Sequence, residues 1–157
     1  MAVQCALVCV LGLLTMRQSS IWSDEERFWS YVCYSNPQSS LAHSNLGLSL
    51  MRKNLEPEAF KEFELSLRLN PQNAASYLNR GVILERAGRV VEAEQQYREA
   101  LRWKPDYAEA YYNLGLIQVR AGQTREAEQS FESALRINPL YGNAKRSLGL
   151  VRQMRKQ

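Results

Sequence analysis

The sequence predicts an all-α fold, a solenoid of antiparallel helix pairs with a C-terminal capping helix and an N-terminal hydrophobic helix. Two residue types recur along the chain with a step of 34. They are the prolines Pro37, Pro71, Pro105 and Pro139 and the glycines Gly47, Gly81, Gly115 and Gly149. A fixed period of this length is typical of a helix–turn–helix repeat in which each unit packs only on its neighbours.

The period divides the 157 residues into six predicted segments. A hydrophobic segment (1–20) precedes a partial repeat (21–39) that has a second helix only. Three full repeats follow at 40–73, 74–107 and 108–141, and a capping helix occupies 142–157. Seven helices are expected near 23–35, 41–53, 57–69, 74–87, 91–103, 108–121 and 125–137, with the cap near 142–155.

Each full repeat carries small residues where its two helices approach closely, and an aromatic residue in the second helix. Leu46, Gly47, Leu50, Ala59, Phe63 and Pro71 form this pattern in the first repeat, Tyr77, Gly81, Leu84, Ala93, Tyr97, Ala100 and Pro105 in the second, and Tyr111, Leu114, Gly115, Ala127, Phe131, Ala134 and Pro139 in the third. Two positions depart from it, because His43 stands in the aromatic column and Arg80 replaces a leucine. Gly88 and Gly122 are expected to end the first helices of their repeats.

The pattern resembles the tetratricopeptide-repeat (TPR) family, fully over residues 40–157 and partly over 22–39. The resemblance implies a helical solenoid without catalytic machinery that binds a protein or peptide in an extended conformation. The terminal helix lacks the aromatic column, since Lys145 stands there, and Arg152 replaces an apolar residue. Polar residues on the outer face are what a terminal repeat needs.

An almost wholly apolar run covers residues 2–16, shorter than the about 20 residues that a membrane-spanning helix needs. A signal peptide is less favoured, because no basic residue precedes the run and no small-x-small cleavage site follows it. We interpret the run as a marginal membrane anchor or as the last part of a membrane helix. The alternative is a buried helix packed on the repeats.

Aromatic residues are dense just after this run, and such rings gather at membrane–water interfaces. The same segment also fits the second helix of a repeat, with Trp29 and Val32 in repeat columns and Glu25 departing from an alanine column. The junction resembles that of transmembrane-and-TPR, O-mannosyltransferase-like membrane proteins. That resemblance implies membrane association with the repeats in the periplasm or a lumen. Their catalysis lies in a membrane portion that this chain lacks, so no activity carries over.

No catalytic, cofactor or metal site is predicted. The chain has one histidine, His43, and three cysteines, Cys5, Cys9 and Cys33, whereas a structural zinc site takes four ligands. We expect His43 to be a packed repeat residue and the cysteines to be apolar filling. The net charge of +4 derives from the last sixteen residues, so no basic nucleic-acid surface is expected. No small-molecule substrate is expected either, because no catalytic or cofactor motif is present.

The candidate binding surface is the first helix of each repeat, which lines the concave face in the resembling family. Residues at i, i+3 and i+7 share a helix face. The candidates are the amides Asn45, Asn79 and Asn113, the aliphatic residues Leu48, Val82 and Leu116, and the basic residues Arg52, Arg86 and Arg120. The amides resemble the asparagine ladder of O-linked N-acetylglucosamine transferase. Alternatively, they form local hydrogen bonds, and the arginines favour helix C-termini.

These patterns favour a non-catalytic scaffold that binds an extended partner segment. One alternative is the substrate-recruiting fragment of a multi-pass membrane glycosyltransferase. Another is a soluble cytosolic adaptor similar to a co-chaperone. The carboxylate clamp of chaperone-binding repeats is not matched, because Ser44 and Leu48 stand where that clamp needs lysine and asparagine.

Overall fold

The computed structural model describes residues 24–156, and the regular secondary structure in that range is entirely α-helical. The eight helices are α1 (Glu25–Ser35), α2 (Ser40–Arg52), α3 (Glu56–Leu69), α4 (Ala74–Arg86), α5 (Val90–Trp103), α6 (Ala108–Arg120), α7 (Thr124–Ile137) and α8 (Gly142–Met154). The all-α prediction is confirmed, and each end lies within two residues of its expected position. The predicted N-terminal hydrophobic helix lies outside the described residues.

None of these eight helices combines the length and the apolar character that crossing a membrane requires. The expected anchor at residues 2–16 belongs to the part of the chain that the structure does not describe, so it stays a prediction.

The chain divides into two compact units, Met1–Leu69 and Asn70–Gln157. In the first unit α2 packs against α1 and α3. In the second unit α4 packs with α5 and α6 with α7, while α5 also contacts α6 and α7 contacts α8. Helices that follow one another in sequence are therefore neighbours in space within each unit, as expected for a repeat with short connections.

Local sequence explains where several of these helices begin. Asp24 accepts a hydrogen bond from the Glu26 amide at 3.0 Å. Ser39 and Asn73 accept hydrogen bonds from amides three residues further on, each at 3.2 Å. A short polar side chain in this position satisfies an amide that the helix itself leaves unpaired.

The turn inside each full repeat contains one residue with left-handed backbone geometry. Gly88 and Gly122 have φ angles of 76° and 73°, and Asn54 has a φ of 61° at the corresponding place in the first repeat. Glycine has no Cβ to oppose this conformation, and asparagine tolerates it better than most residues. The expectation that Gly88 and Gly122 end helices is confirmed, and Asn54 has the same role without a glycine.

The core of each full repeat is built around an aromatic ring in its second helix. Phe63, Tyr97 and Phe131 are all 0% exposed. Each ring lies so close to a glycine of the preceding helix that there is no room for a side chain. Alanines one turn earlier, Ala59, Ala93 and Ala127, are also 0% exposed, which keeps the paired helices close.

The capping helix α8 closes the second unit. Leu148 and Val151 of this helix pack with Ala127 and Phe131 of α7. Leu150 is 62% exposed and Met154 is 53% exposed. They stand 34 residues after Leu116 and Arg120, at the positions of the candidate binding surface. Arg152, which replaces an apolar residue of the repeat pattern, is exposed as a cap residue and donates hydrogen bonds to Glu128 and Glu132 of α7.

Candidate peptide-binding surface

The nine candidate residues lie on the first helix of each full repeat, with one triplet in the first unit and two triplets in the second. Asn45, Leu48 and Arg52 are on α2 of the first unit. The second unit carries Asn79, Val82 and Arg86 on α4 and Asn113, Leu116 and Arg120 on α6. In all three triplets the amide and the aliphatic residue are half-buried, whereas the arginine is exposed. The three repeats therefore present these residue types with the same exposure.

The three asparagines share a further property. Within residues 24–156, the side chains of Asn45, Asn79 and Asn113 form no hydrogen bond to another protein group. Each half-buried amide thus keeps both its N–H donors and its carbonyl acceptor for a partner molecule or water. The alternative interpretation, in which these amides form local hydrogen bonds, has no support among the described residues.

Two of the arginines are held in ion pairs inside their own units. Arg52 donates to Glu25 of α1, with 2.6 Å between Nη1 and Oε1. Arg120 of α6 forms an ion pair with Glu85 of α4. These acids partly offset the positive charge of the expected basic edge, so the arginines supply less attraction for an acidic ligand than their number suggests.

Glu85 also accepts a hydrogen bond from Tyr97, the aromatic core residue of the second repeat, and the sequence did not predict this hydrogen bond. The hydroxyl of Tyr97 donates to Oε2 of Glu85 at 2.6 Å. Burial, together with the hydrogen bond to Glu85 and its charge, raises the pKa of Tyr97 well above its ordinary value. A signal was available, because tyrosine replaces the phenylalanine of the other two repeats, and a buried tyrosine hydroxyl needs a partner.

A compact polar cluster lies in the first unit. Nδ1 of His43 is 2.7 Å from Oε2 of Glu62, and its Nε2 is 3.1 Å from the carbonyl oxygen of Pro37. His43 is 6% exposed, and the nearby Cys33 is 8% exposed. Burial, and then the charge of Glu62, raises the pKa of the Cys33 thiol to about 11. Both residues are packed, as expected, but together with Glu62 they form a cluster that was not predicted.

Comparisons with known proteins support the repeat family. A family model for the tetratricopeptide repeat matches residues 72–139, which covers most of the second and third predicted repeats. No curated protein matches the chain.

Solved structures show the same fold at low sequence identity. A crystal structure of MamA superposes with a TM-score of 0.74 at 22% identity, covering 90% of this chain and 83% of that one. The first TPR of Spaghetti (RPAP3), bound to the HSP90 peptide SRMEEVD, gives 0.71 at 21% identity, with coverages of 76% and 95%. The Arabidopsis OM64 TPR domain gives 0.69 at 22% identity, with coverages of 74% and 96%.

The fold is therefore that of a tetratricopeptide-repeat domain, and the model of that repeat matches residues 72–139. The resemblance of the N-terminal junction to transmembrane-and-TPR membrane proteins is not supported by these comparisons. The boundaries proposed for the individual repeats stay predictions.

Proposed function

We propose that this chain is a protein-binding scaffold that holds an extended segment of a partner through the first helices of its repeats. The observation that carries the proposal is the recurrence of a half-buried asparagine without a protein partner on α2, α4 and α6. A side-chain amide both donates and accepts, so it pairs with a backbone peptide group whatever the ligand side chain. Recognition of this kind tolerates varied ligand sequences.

The aliphatic residues supply the apolar part of the proposed contact. Leu48, Val82 and Leu116 each stand three positions after an asparagine on the same helix face and are half-buried. They remain accessible enough to contact a ligand. Their burial by that ligand would stabilise the complex by about 25 cal/mol per Å² of apolar surface removed from water.

The arginines contribute less in this proposal than the amides. An acidic ligand residue would have to compete with Glu25 for Arg52 and with Glu85 for Arg120. Exposed ion pairs contribute about 0–1 kcal/mol each. We therefore expect binding to depend only weakly on salt.

A second candidate function is that of a co-chaperone-like adaptor that binds an acidic peptide. It is favoured by the similarity to a TPR domain whose structure contains the HSP90 peptide SRMEEVD, over 76% of this chain. Against it, Ser44 is 6% exposed and Leu48 is aliphatic, so neither supplies the polar clamp that the resembling family uses. This candidate implies a cytoplasmic protein, whereas the recruiting fragment of a membrane glycosyltransferase implies the lumenal side of a membrane.

The test compares two kinds of peptide on the full chain. One is SRMEEVD with a control in which its three acidic residues are alanine. The other is a peptide selected from a random library displayed on phage. Binding is measured by calorimetric titration. The scaffold is supported if the selected peptide binds while SRMEEVD and its alanine control bind equally or not at all. Tight binding of SRMEEVD alone supports the adaptor.

Variants then locate the binding surface within each unit. We expect Asn79→Ala and Asn113→Ala in the second unit, and Asn45→Ala in the first, to weaken the selected peptide by about 2- to 10-fold each, because a net hydrogen bond contributes about 0.5–1.5 kcal/mol. Gln95→Ala, at an exposed position of α5, is the matched control. If all three asparagine variants keep the wild-type affinity and helicity, the peptide binds at another surface of the protein.

A further inference from the structure

Three side chains with metal-binding atoms meet where α1, α2 and α3 come together. Cys33 comes from α1, His43 from α2 and Glu62 from α3. Their ligand atoms lie within 4.8 Å of one another, and the cysteine and histidine are buried. No other group of three such residues meets this description in residues 24–156. The cluster has no part in the proposed peptide-binding surface.

The contacts of His43 resemble the outer shell of a metal site. Its Nε2 donates to the carbonyl oxygen of Pro37 at 3.1 Å, which sets the orientation of the ring, and Nδ1 faces Glu62 at 2.7 Å. A metal-ligating histidine almost always donates its other ring N–H to a carboxylate or a backbone carbonyl. The ring is therefore already oriented to offer Nδ1 as a ligand.

We propose that Cys33, His43 and Glu62 form a zinc site. Thiolate, imidazole and carboxylate are the three ligand types that zinc takes in proteins, and three protein ligands leave a fourth position for water. A thiolate and a carboxylate together balance the two charges of the ion, so the buried site would be neutral when loaded. The mixed sulfur, nitrogen and oxygen set disfavours magnesium and calcium, which take oxygen ligands.

The observed distances are close to those of a loaded site. Zinc bonds of about 2.0–2.3 Å in a tetrahedron place ligand atoms about 3.3–3.8 Å apart. Nδ1 of His43 and Oε2 of Glu62, now 2.7 Å apart, must separate by somewhat less than 1 Å. The ligand atoms lie within 4.8 Å of one another, so the thiol has to approach the other two by at most about 1.3 Å.

The site would link the partial repeat to the first full repeat. Cys33 is the single fully buried residue of α1, whereas Phe28, Trp29 and Val32 are half-buried. An ion bound by residues of α1, α2 and α3 adds its binding free energy to the stability of the folded unit. Zinc would therefore stabilise the attachment of α1 to α2 and α3.

Cobalt(II) is the probe for the first experiment, because it takes zinc sites and a bound thiolate gives a charge-transfer absorption in the near ultraviolet. The reduced full chain is titrated with cobalt and then with zinc. We expect one equivalent of cobalt to produce the band and one equivalent of zinc to abolish it. A wild-type chain that shows no thiolate band overturns the proposal.

Variants assign the band to this cluster. We expect Cys33→Ser to abolish it and the double variant Cys5→Ser/Cys9→Ser to retain it, which makes the other two cysteines an internal control. His43→Gln and Glu62→Gln should each weaken cobalt binding by about 10- to 100-fold or more. A band that survives Cys33→Ser, or disappears in the Cys5/Cys9 variant, contradicts the assignment.

A thermal measurement gives a readout that does not depend on the absorption band. Zinc should raise the melting temperature of the wild-type chain and of the Cys5→Ser/Cys9→Ser variant, and a chelator should reverse the rise. Should Cys33→Ser be poorly folded without metal, the wild type and the Cys5/Cys9 variant still decide the outcome. A melting temperature that zinc leaves unchanged in both proteins overturns the proposal.

Discussion

The aromatic ring of Tyr97 occupies the space that a side chain at Gly81 would need. A Cβ atom at Gly81 would lie 2.5 Å from Cε1 of Tyr97, well inside van der Waals contact. The ring is 0% exposed, so it has no free space into which to move. Gly47 with Phe63 and Gly115 with Phe131 repeat this relationship at 2.8 and 2.6 Å.

The first prediction concerns this glycine column. Gly81→Ala should lower the free energy of unfolding by about 1–3 kcal/mol, because an added methyl overpacks the helix contact. Gly149→Ala is the matched control, since Gly149 has the same repeat position in α8 but nothing within 4 Å of its added Cβ. That change should stabilise by about 0.5–1 kcal/mol through helix propensity. Urea denaturation of both variants tests this prediction. Changes in the free energy of unfolding that are equal and of the same sign in the two variants would contradict it.

The second prediction concerns the alanines that face the paired helix. Ala93 and Ala127 are 0% exposed, so Ala93→Leu and Ala127→Leu should each destabilise by about 1–3 kcal/mol through overpacking. Gln95→Leu, at an exposed position of the same helix as Ala93, controls for the added leucine and should change stability by about 0.5 kcal/mol or less. Unchanged melting temperatures for both alanine variants would show that the helix contact has room to expand.

The third prediction concerns the pH dependence of stability. Burial and Glu85 raise the pKa of Tyr97, whereas a tyrosine in the unfolded chain has a pKa of about 10. Above pH 10 the unfolded state therefore loses this proton while the native state retains it, so stability falls as pH rises. The contribution of Tyr97 should be fully present below pH 10.

Tyr97→Phe isolates that contribution. At pH 7 it should cost about 0.5–1.5 kcal/mol, since the hydrogen bond to Glu85 is lost while the ring is kept. Between pH 10 and 12 the wild type should lose stability more steeply than the variant. The difference between their free energies of unfolding should therefore become smaller as the pH rises. Denaturation curves at several pH values test this, with Tyr31→Phe at an exposed site of α1 as the control. A constant difference up to pH 12 would contradict the assignment.

The fourth prediction concerns the attachment of the capping helix. The Glu128 side chain is 10% exposed and accepts hydrogen bonds from Arg152 at 2.9 Å and Arg155 at 2.6 Å. Replacing both arginines with glutamine leaves this carboxylate without cationic partners, and should cost about 1–3 kcal/mol. Adding Glu128→Gln should recover much of that loss, because an amide is less costly to leave unpaired than a charge.

The matched control for the cap removes the same number of positive charges from the same C-terminal segment. Lys145→Gln with Arg146→Gln changes two exposed residues that do not contact Glu128. Thermal denaturation and hydrogen exchange of the α8 amides compare the two double variants. Equal stability of the two, or no recovery on adding Glu128→Gln, would show that the ion pairs do not hold the cap.

The helices and the aromatic core of each repeat were predictable because they depend on short-range patterns. Gly88 must have no Cβ at its left-handed turn, and Pro105 cannot continue a helix. The spacing of Ala93 and Tyr97 on one face directs both into the contact with the preceding helix. Such constraints act over about one turn of helix, so they can be read directly from the order of residues.

The candidate surface was only partly predictable. The sequence placed three asparagines at equivalent positions, and their equal exposure follows from the repeat. It did not indicate that Arg52 and Arg120 pair with Glu25 and Glu85. These partners lie 27 and 35 residues away, so they meet only because neighbouring helices pack.

The sequence by itself determined that this protein is a repeat of helix pairs, because identical local constraints return every 34 residues. Only the tertiary structure decided which polar groups meet between the helices. Cys33, His43 and Glu62 belong to no short motif, and they come together because α2 packs against both α1 and α3. Their chemistry depends on distance and burial, and these are set by the packing of whole helices, not by the order of residues within any one of them.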